Sequence, residues 1–109
     1  MEDEFPWVWT IQPVLPDVDY HIEASVGVDP FDPENWNADI QVIRDGYIIW
    51  NANFYTLANL YWMFDKNAAT GECSDGMYYN DKDMVIVRRL DRETVEATVA
   101  ALFAEGEFK

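Results

Sequence analysis

Lysine and arginine are missing from the first 43 residues; the first basic residue of this 109-residue chain is Arg44. Over the whole chain seven bases stand against 21 acids, a formal net charge of −14. Nucleic acid and anionic membranes are both gripped by basic surface, so neither is an expected direct ligand. Cys73 is the single cysteine, which excludes an intrachain disulfide. With one cysteine and one histidine, His21, no zinc-binding spacing exists. Gly46, Gly71 and Gly76 are isolated turn glycines, not parts of a phosphate-cradling loop. No run reaches the ~18 apolar residues of a membrane span. The opening MEDEFPWVW carries acids where a secretory signal needs bases. These absences predict a cytoplasmic protein with no metal and no cofactor.

What is present is apolar and aromatic: half of the residues are hydrophobic and 16% are aromatic. That is enough apolar surface for a core despite the charge. The length suits one domain, residues 1–109, with residues 1–6 expected as a mobile acidic arm. Residues 7–15, WVWTIQPVL, are β-rich, but Pro13 demotes them to an edge or bulged strand. Residues 20–28 alternate: Ile22, Ala24, Val26 and Val28 on one face, His21, Glu23 and Ser25 on the other. Asp45-Gly46 lies between two β-branched runs, which predicts a hairpin with strands at 39–44 and 47–53.

After Thr56, an N-cap residue, the period changes. Leu57, Leu60, Tyr61 and Phe64 fall at i, i+3, i+4 and i+7, so Tyr61 and Phe64 are expected in the core. Gly71 suits the helix end. Residues 72–83 read as a polar loop with a short extended piece at 77–79, and 84–90 as a strand. Asp91 caps a last helix whose buried face is Val95, Val99, Leu102 and Phe103; Gly106 stops it and the final EFK is expected to fray. The predicted fold is α+β, in the order β-β-β-β-α-β-α: a small antiparallel sheet of four to five strands with two helices packed on one face.

Residues 29–39, DPFDPENWNAD, concentrate acids without a base. A calcium loop wants ligands at positions 1, 3 and 5 with glycine at 6. From Asp29, positions 3 and 6 are Phe31 and Glu34; from Asn35, position 6 is Ile40. The stretch therefore reads as a proline-broken turn. His21 and Cys73 could form a nucleophilic pair only if the fold joined them, and Glu72 and Asp75 would disfavour a thiolate. The acid pairs Asp17/Asp19 and Asp81/Asp83 sit in polar loops, where general acid–base work, which needs a buried carboxyl, is not expected. The chain is not read as an enzyme.

The charge asymmetry points instead to a basic protein partner, a nucleic-acid-binding protein or a nuclease, met by complementarity. The amino-terminal half is expected to carry a nearly pure negative surface. Candidate partner-binding residues are Asp29, Asp32, Glu34, Trp36, Asp39, Asp75, Tyr78, Tyr79, Asp81 and Asp83. Trp62 and Met63 point away from the expected core face of their helix and are candidates for self-association, the alternative use of the chain as a structural or regulatory homodimer. In character the chain resembles small acidic inhibitors: toxin-immunity proteins and anti-CRISPR proteins, some of which act as nucleic-acid mimics. The likeness rests on size, charge and lack of catalytic groups and carries no residue across.

Overall fold

The computed structural model describes residues 8–13, 18–27 and 31–108. The expected acidic arm, Asp17 and Asp29 lie outside them. The chain runs β1 (Val8–Ile11), β2 (His21–Ser25), β3 (Asn37–Arg44), β4 (Tyr47–Thr56), α1 (Leu57–Thr70), α2 (Glu72–Gly76), β5 (Met84–Val87) and α3 (Arg92–Ala104). The five strands form one sheet in chain order. The first four are antiparallel, and β5 joins β4 in parallel, so the sheet is mixed and the fold is α+β.

Alternation decides which side of the sheet is inside. Ile22 and Ala24 of β2, Ala38, Ile40 and Val42 of β3, and Ala52 and Phe54 of β4 are all buried and point one way. Asp45 (φ 53°) and Gly46 (φ 80°) turn the β3–β4 hairpin, both left-handed as a two-residue turn of this twist demands. A register shift at Val42/Ile43 marks a bulge close to that turn.

α3 covers the inner face. Asp91 accepts the Thr94 N–H at 2.7 Å as its N-cap, and Val95 and Val99 are fully buried beneath it. Leu102 and Phe103 pack against the same core. α3 thus supplies the cover expected of both helices. α1 contributes no residue to the core cluster. Its expected inner face is overturned: Leu57 is 59% exposed and Tyr61 72%, whereas Asn59 and Asn67 are its buried residues. Polar anchoring, described below, orients this helix instead of a hydrophobic stripe.

Three further expectations fail. Residues 72–76 form α2, not open loop, with Cys73, Ser74 and Asp75 in left-handed backbone (φ 52°, 52° and 61°). Gly76 then passes so close to α1 that a Cβ there would sit 2.6 Å from the Phe64 carbonyl oxygen. No strand forms at 77–79. The carboxyl-terminal segment does not fray at Phe108. That ring is 6% exposed, stacks on Trp50 at 5.3 Å and meets Tyr20 and Phe103 edge-on or tilted. Burying an aromatic ring outweighs the entropy of ordering three residues after the helix stop.

Phe108→Ala is accordingly expected to cost ~3–5 kcal/mol in urea unfolding, the range for an aromatic removed from a core. A loss under about 1 kcal/mol would mean the end of the chain is not docked.

Candidate functional site

One side of the sheet is left without α3, and its make-up follows from the same alternation. The outward residues include Thr10, Glu23, Ser25, Asn37, Asp39, Gln41, Asn51 and Asn53, in cross-strand rows such as Ser25–Asp39–Asn53. These are carboxylates, amides and hydroxyls. Arg44 is the sole lysine or arginine in the five strands, and its Nε donates to Asp19 at 2.7 Å.

Thr56 builds one end of this surface. It is the last residue of β4, 1% exposed, and the N-cap of α1. Its Oγ1 accepts the Asn59 N–H and the Trp36 N–H, each at 3.2 Å, while its own N–H donates to the Trp36 carbonyl at 3.1 Å. Three segments are thereby tied at one hydroxyl. Asn59, carried one turn into α1, extends the link. Its Oδ1 accepts from Asn37 Nδ2 at 2.8 Å and its Nδ2 donates to Asn35 Oδ1 at 3.2 Å. The amide chain Asn37–Asn59–Asn35 orients all three side chains, because each amide has one donor and one acceptor end.

Between these groups lies a cleft of about 570 Å³. It is lined by Ser25, Val26 and Gly27 after β2, by the amides Asn35, Asn37 and Asn59 with Trp36, by Ala38 and Asp39 of β3, and by Trp62 of α1. Trp36 donates its indole N–H to the Val26 carbonyl and sits edge-on to Phe31, which in turn meets Trp9. It is half-buried and tethered. Trp62 is 52% exposed and Met63 half-buried.

A second polar cluster flanks the face. The Tyr55 hydroxyl donates to Asp81 Oδ2 at 2.7 Å, so the 2.6 Å contact with Tyr79 must be a hydrogen bond donated by Tyr79. Asn53 Nδ2 also donates to Asp81 Oδ2 at 2.8 Å, and the Asp83 N–H to Oδ1 at 3.2 Å. Burial works to raise the Asp81 pKa, but these hydrogen bonds together hold it below the usual carboxylate range. Burial first, then the Tyr79 and Asp81 contacts, push Tyr55 far above an ordinary tyrosine, so it remains a donor.

The remaining sequence candidates are placed as follows. Asp32 accepts the Glu34 N–H at 2.9 Å, an Asx turn. Glu34 pairs with Arg89, so one base enters the amino-terminal surface expected to be nearly pure negative. Parallel pairing of β5 beside β4 carries the next residues to the 31–36 loop, where the Leu90 N–H meets the Pro33 carbonyl at 2.8 Å. A base 55 residues away in sequence thus reaches an amino-terminal acid. Asp39, Asp75, Tyr78 and Asp83 are exposed, and Tyr79 is half-buried. His21 sits 3.2 Å from Glu23. Asp39, Asn53, Asp81 and Asp83 are brought to one region; Asp75 belongs to α2. Sequence reading missed Asn35, Asn37, Thr56 and Asn59 as site builders, since only tertiary contact at separations of 20 to 24 residues joins them.

Two measurements check this geometry. Thr56→Val keeps the shape but leaves two buried N–H groups without their acceptor, and should cost ~1–3 kcal/mol while lowering hydrogen-exchange protection in α1 first. An Asp whose folded pKa is depressed stabilises above its unfolded pKa, ~3.9, and that stability is lost as pH falls through the folded value. The urea midpoints of wild type and Asp81→Asn should therefore differ most near neutrality and converge as pH drops below about 4. A gap independent of pH would remove the charge from the account. Compared with known proteins, the chain matches no family model, no curated protein and no solved structure.

Proposed function

We propose that the chain is a non-catalytic acidic binding protein that occludes a basic, nucleic-acid-binding surface of another protein, in the manner of anti-CRISPR or toxin-immunity inhibitors. One observation carries the reading: the uncovered sheet face presents carboxylates and amides, and the lone arginine of the strands is bonded to Asp19. Glu23 and Asp39 occupy diagonal positions on neighbouring strands, on the order of 7–8 Å apart at Cα. Asp81 and Asp83 continue the acidic surface beyond β4. A rigid sheet holds such charges at fixed spacing, which gives both steering and register against a cationic groove. Among the described residues no helix is long and apolar enough to cross a membrane, and we place the partner in the cytoplasm.

A second reading has its own observation. Leu57, Tyr61 and Trp62 leave an apolar patch on α1, with Leu57 and Tyr61 one turn apart, which would suit a homodimer. Sedimentation of the free protein separates the two: a dimer dispersed by Trp62→Glu supports the second, a strict monomer removes it.

The first reading is tested with protamine, an arginine-rich DNA-binding protein, as the probe. The chain should displace duplex DNA from it, with affinity falling at least ten-fold between about 50 and 500 mM salt. Neutralising Glu23, Asp39 and Asp83 together should weaken binding more than ten-fold, while neutralising Glu93, Glu105 and Glu107, in or just after α3, should weaken it less than three-fold. Equal losses from both triples would show that net charge alone acts, and the proposed surface would fall.

A further inference from the structure

The cleft beside Trp62 is more specific than an acidic patch, and its chemistry names a ligand group. It combines three kinds of atom. Asp39 brings an exposed carboxylate, with no ion pair among the described residues. Asn37 has its amide nitrogen committed to Asn59, and its side-chain carbonyl oxygen has no hydrogen bond among the described residues. Trp62 of α1 brings an indole, 52% exposed, to the lining. No lysine or arginine lines the cleft among the described residues.

A carboxylate, a second oxygen acceptor and an aromatic face around one space select a planar, multi-donor cation. A guanidinium gives two parallel N–H bonds to a carboxylate, has further donors for a carbonyl, and stacks on indole. An ammonium is a strongly hydrated point charge and exploits neither the fork nor the stack as well. A neutral polar ligand would use the amides but gain little from Asp39. The pocket's size, about 570 Å³, admits a long side chain together with part of its backbone. The amide chain from Thr56 through Asn59 fixes the acceptor before the ligand arrives, which limits the ordering cost of binding.

We infer that this cleft is the seat for an arginine side chain of the basic partner, held by Asp39 and Asn37 and stacked on Trp62. The assignment rests on the acidic-surface reading above, and it adds to that reading a single anchoring residue type and a place for it.

The test uses the whole protein and Nα-acetyl-arginine methylamide, followed by ¹H–¹⁵N spectra. The Trp62 indole N–H and the backbone N–H groups of Asn37 and Asp39 should shift saturably, with a Kd in the millimolar range. The citrulline analogue, the same shape without the charge, should bind at least ten-fold more weakly, and the lysine analogue several-fold more weakly. Asp39→Asn, an exposed near-isosteric change, should weaken the arginine probe about ten-fold, and Trp62→Leu about five-fold. Equal shifts from the citrulline analogue, shifts untouched by Asp39→Asn, or no saturable shift at 50 mM probe would each overturn the assignment. The two readings fail separately. A chain that displaces DNA from protamine through Glu23, Asp39 and Asp83 but ignores the arginine probe loses only the cleft. One that binds the probe in the cleft but not protamine keeps the cleft and loses the wider acidic surface.

Discussion

A single buried hydroxyl holds the functional end of this molecule together. Thr56 closes β4, caps α1 and receives the Trp36 N–H, so strand, helix and the 31–36 loop meet at one oxygen. The constraint is steric as well as polar. With no turn between β4 and α1, the helix must leave the sheet in the direction the cap allows. Asn59 then lands against Asn37 and Asn35, and Trp62, one turn further, lands over the cleft. Neither the cleft nor its preset acceptor would exist if α1 lay on the hydrophobic core as α3 does.

That difference between the two helices explains what the sequence could and could not reveal. Residues 20–28 alternate cleanly because one face of β2 is inside and the other in water, and Ile22 and Ala24 are fully buried. Asp45-Gly46, Thr56 and Asp91 act locally, through backbone angles and caps within a few residues, so each could be read in place. α3 obeys its stripe because packing chooses its orientation. α1 has a stripe too, but buried amides at Asn59 and Asn67 outrank it, and Leu57 and Tyr61 end up in solvent. An unpartnered buried amide costs more than an exposed leucine, whose exposure is ordinary.

The rest was illegible for a different reason: it depends on which strands become neighbours. Parallel addition of β5 to β4 moves the 88–91 segment beside the 33–36 loop and brings Arg89 to Glu34. No local pattern distinguishes a parallel from an antiparallel fifth strand of four residues. Phe108 likewise follows a helix stop with no periodic partner, and its place is set by the gap between Trp50, Tyr20 and Phe103. The charge map suffered most from this, because a map along the chain treats Arg89 as remote from the amino-terminal acids.

Neutralising one side also sharpens the other. Arg44 and Arg89 are spent on Asp19 and Glu34, so neither offsets Glu23 and Asp39 on the uncovered sheet face or Asp81 and Asp83 beside it. Asp81 is itself held ionised by three hydrogen bonds, which fixes its charge in position and lowers the pH at which it would be lost. Asp39 differs: among the described residues it has no ion pair, and it lines the cleft together with the Trp62 indole. Among the described carboxylates singled out in the sequence, it is the one that lines the cleft with an indole and an oriented amide beside it. On the proposed function, Coulomb attraction alone would bring a basic partner to the face and would weaken with salt. The cleft adds short-range geometry, which screening affects far less, so specificity would survive at salt concentrations where steering has gone.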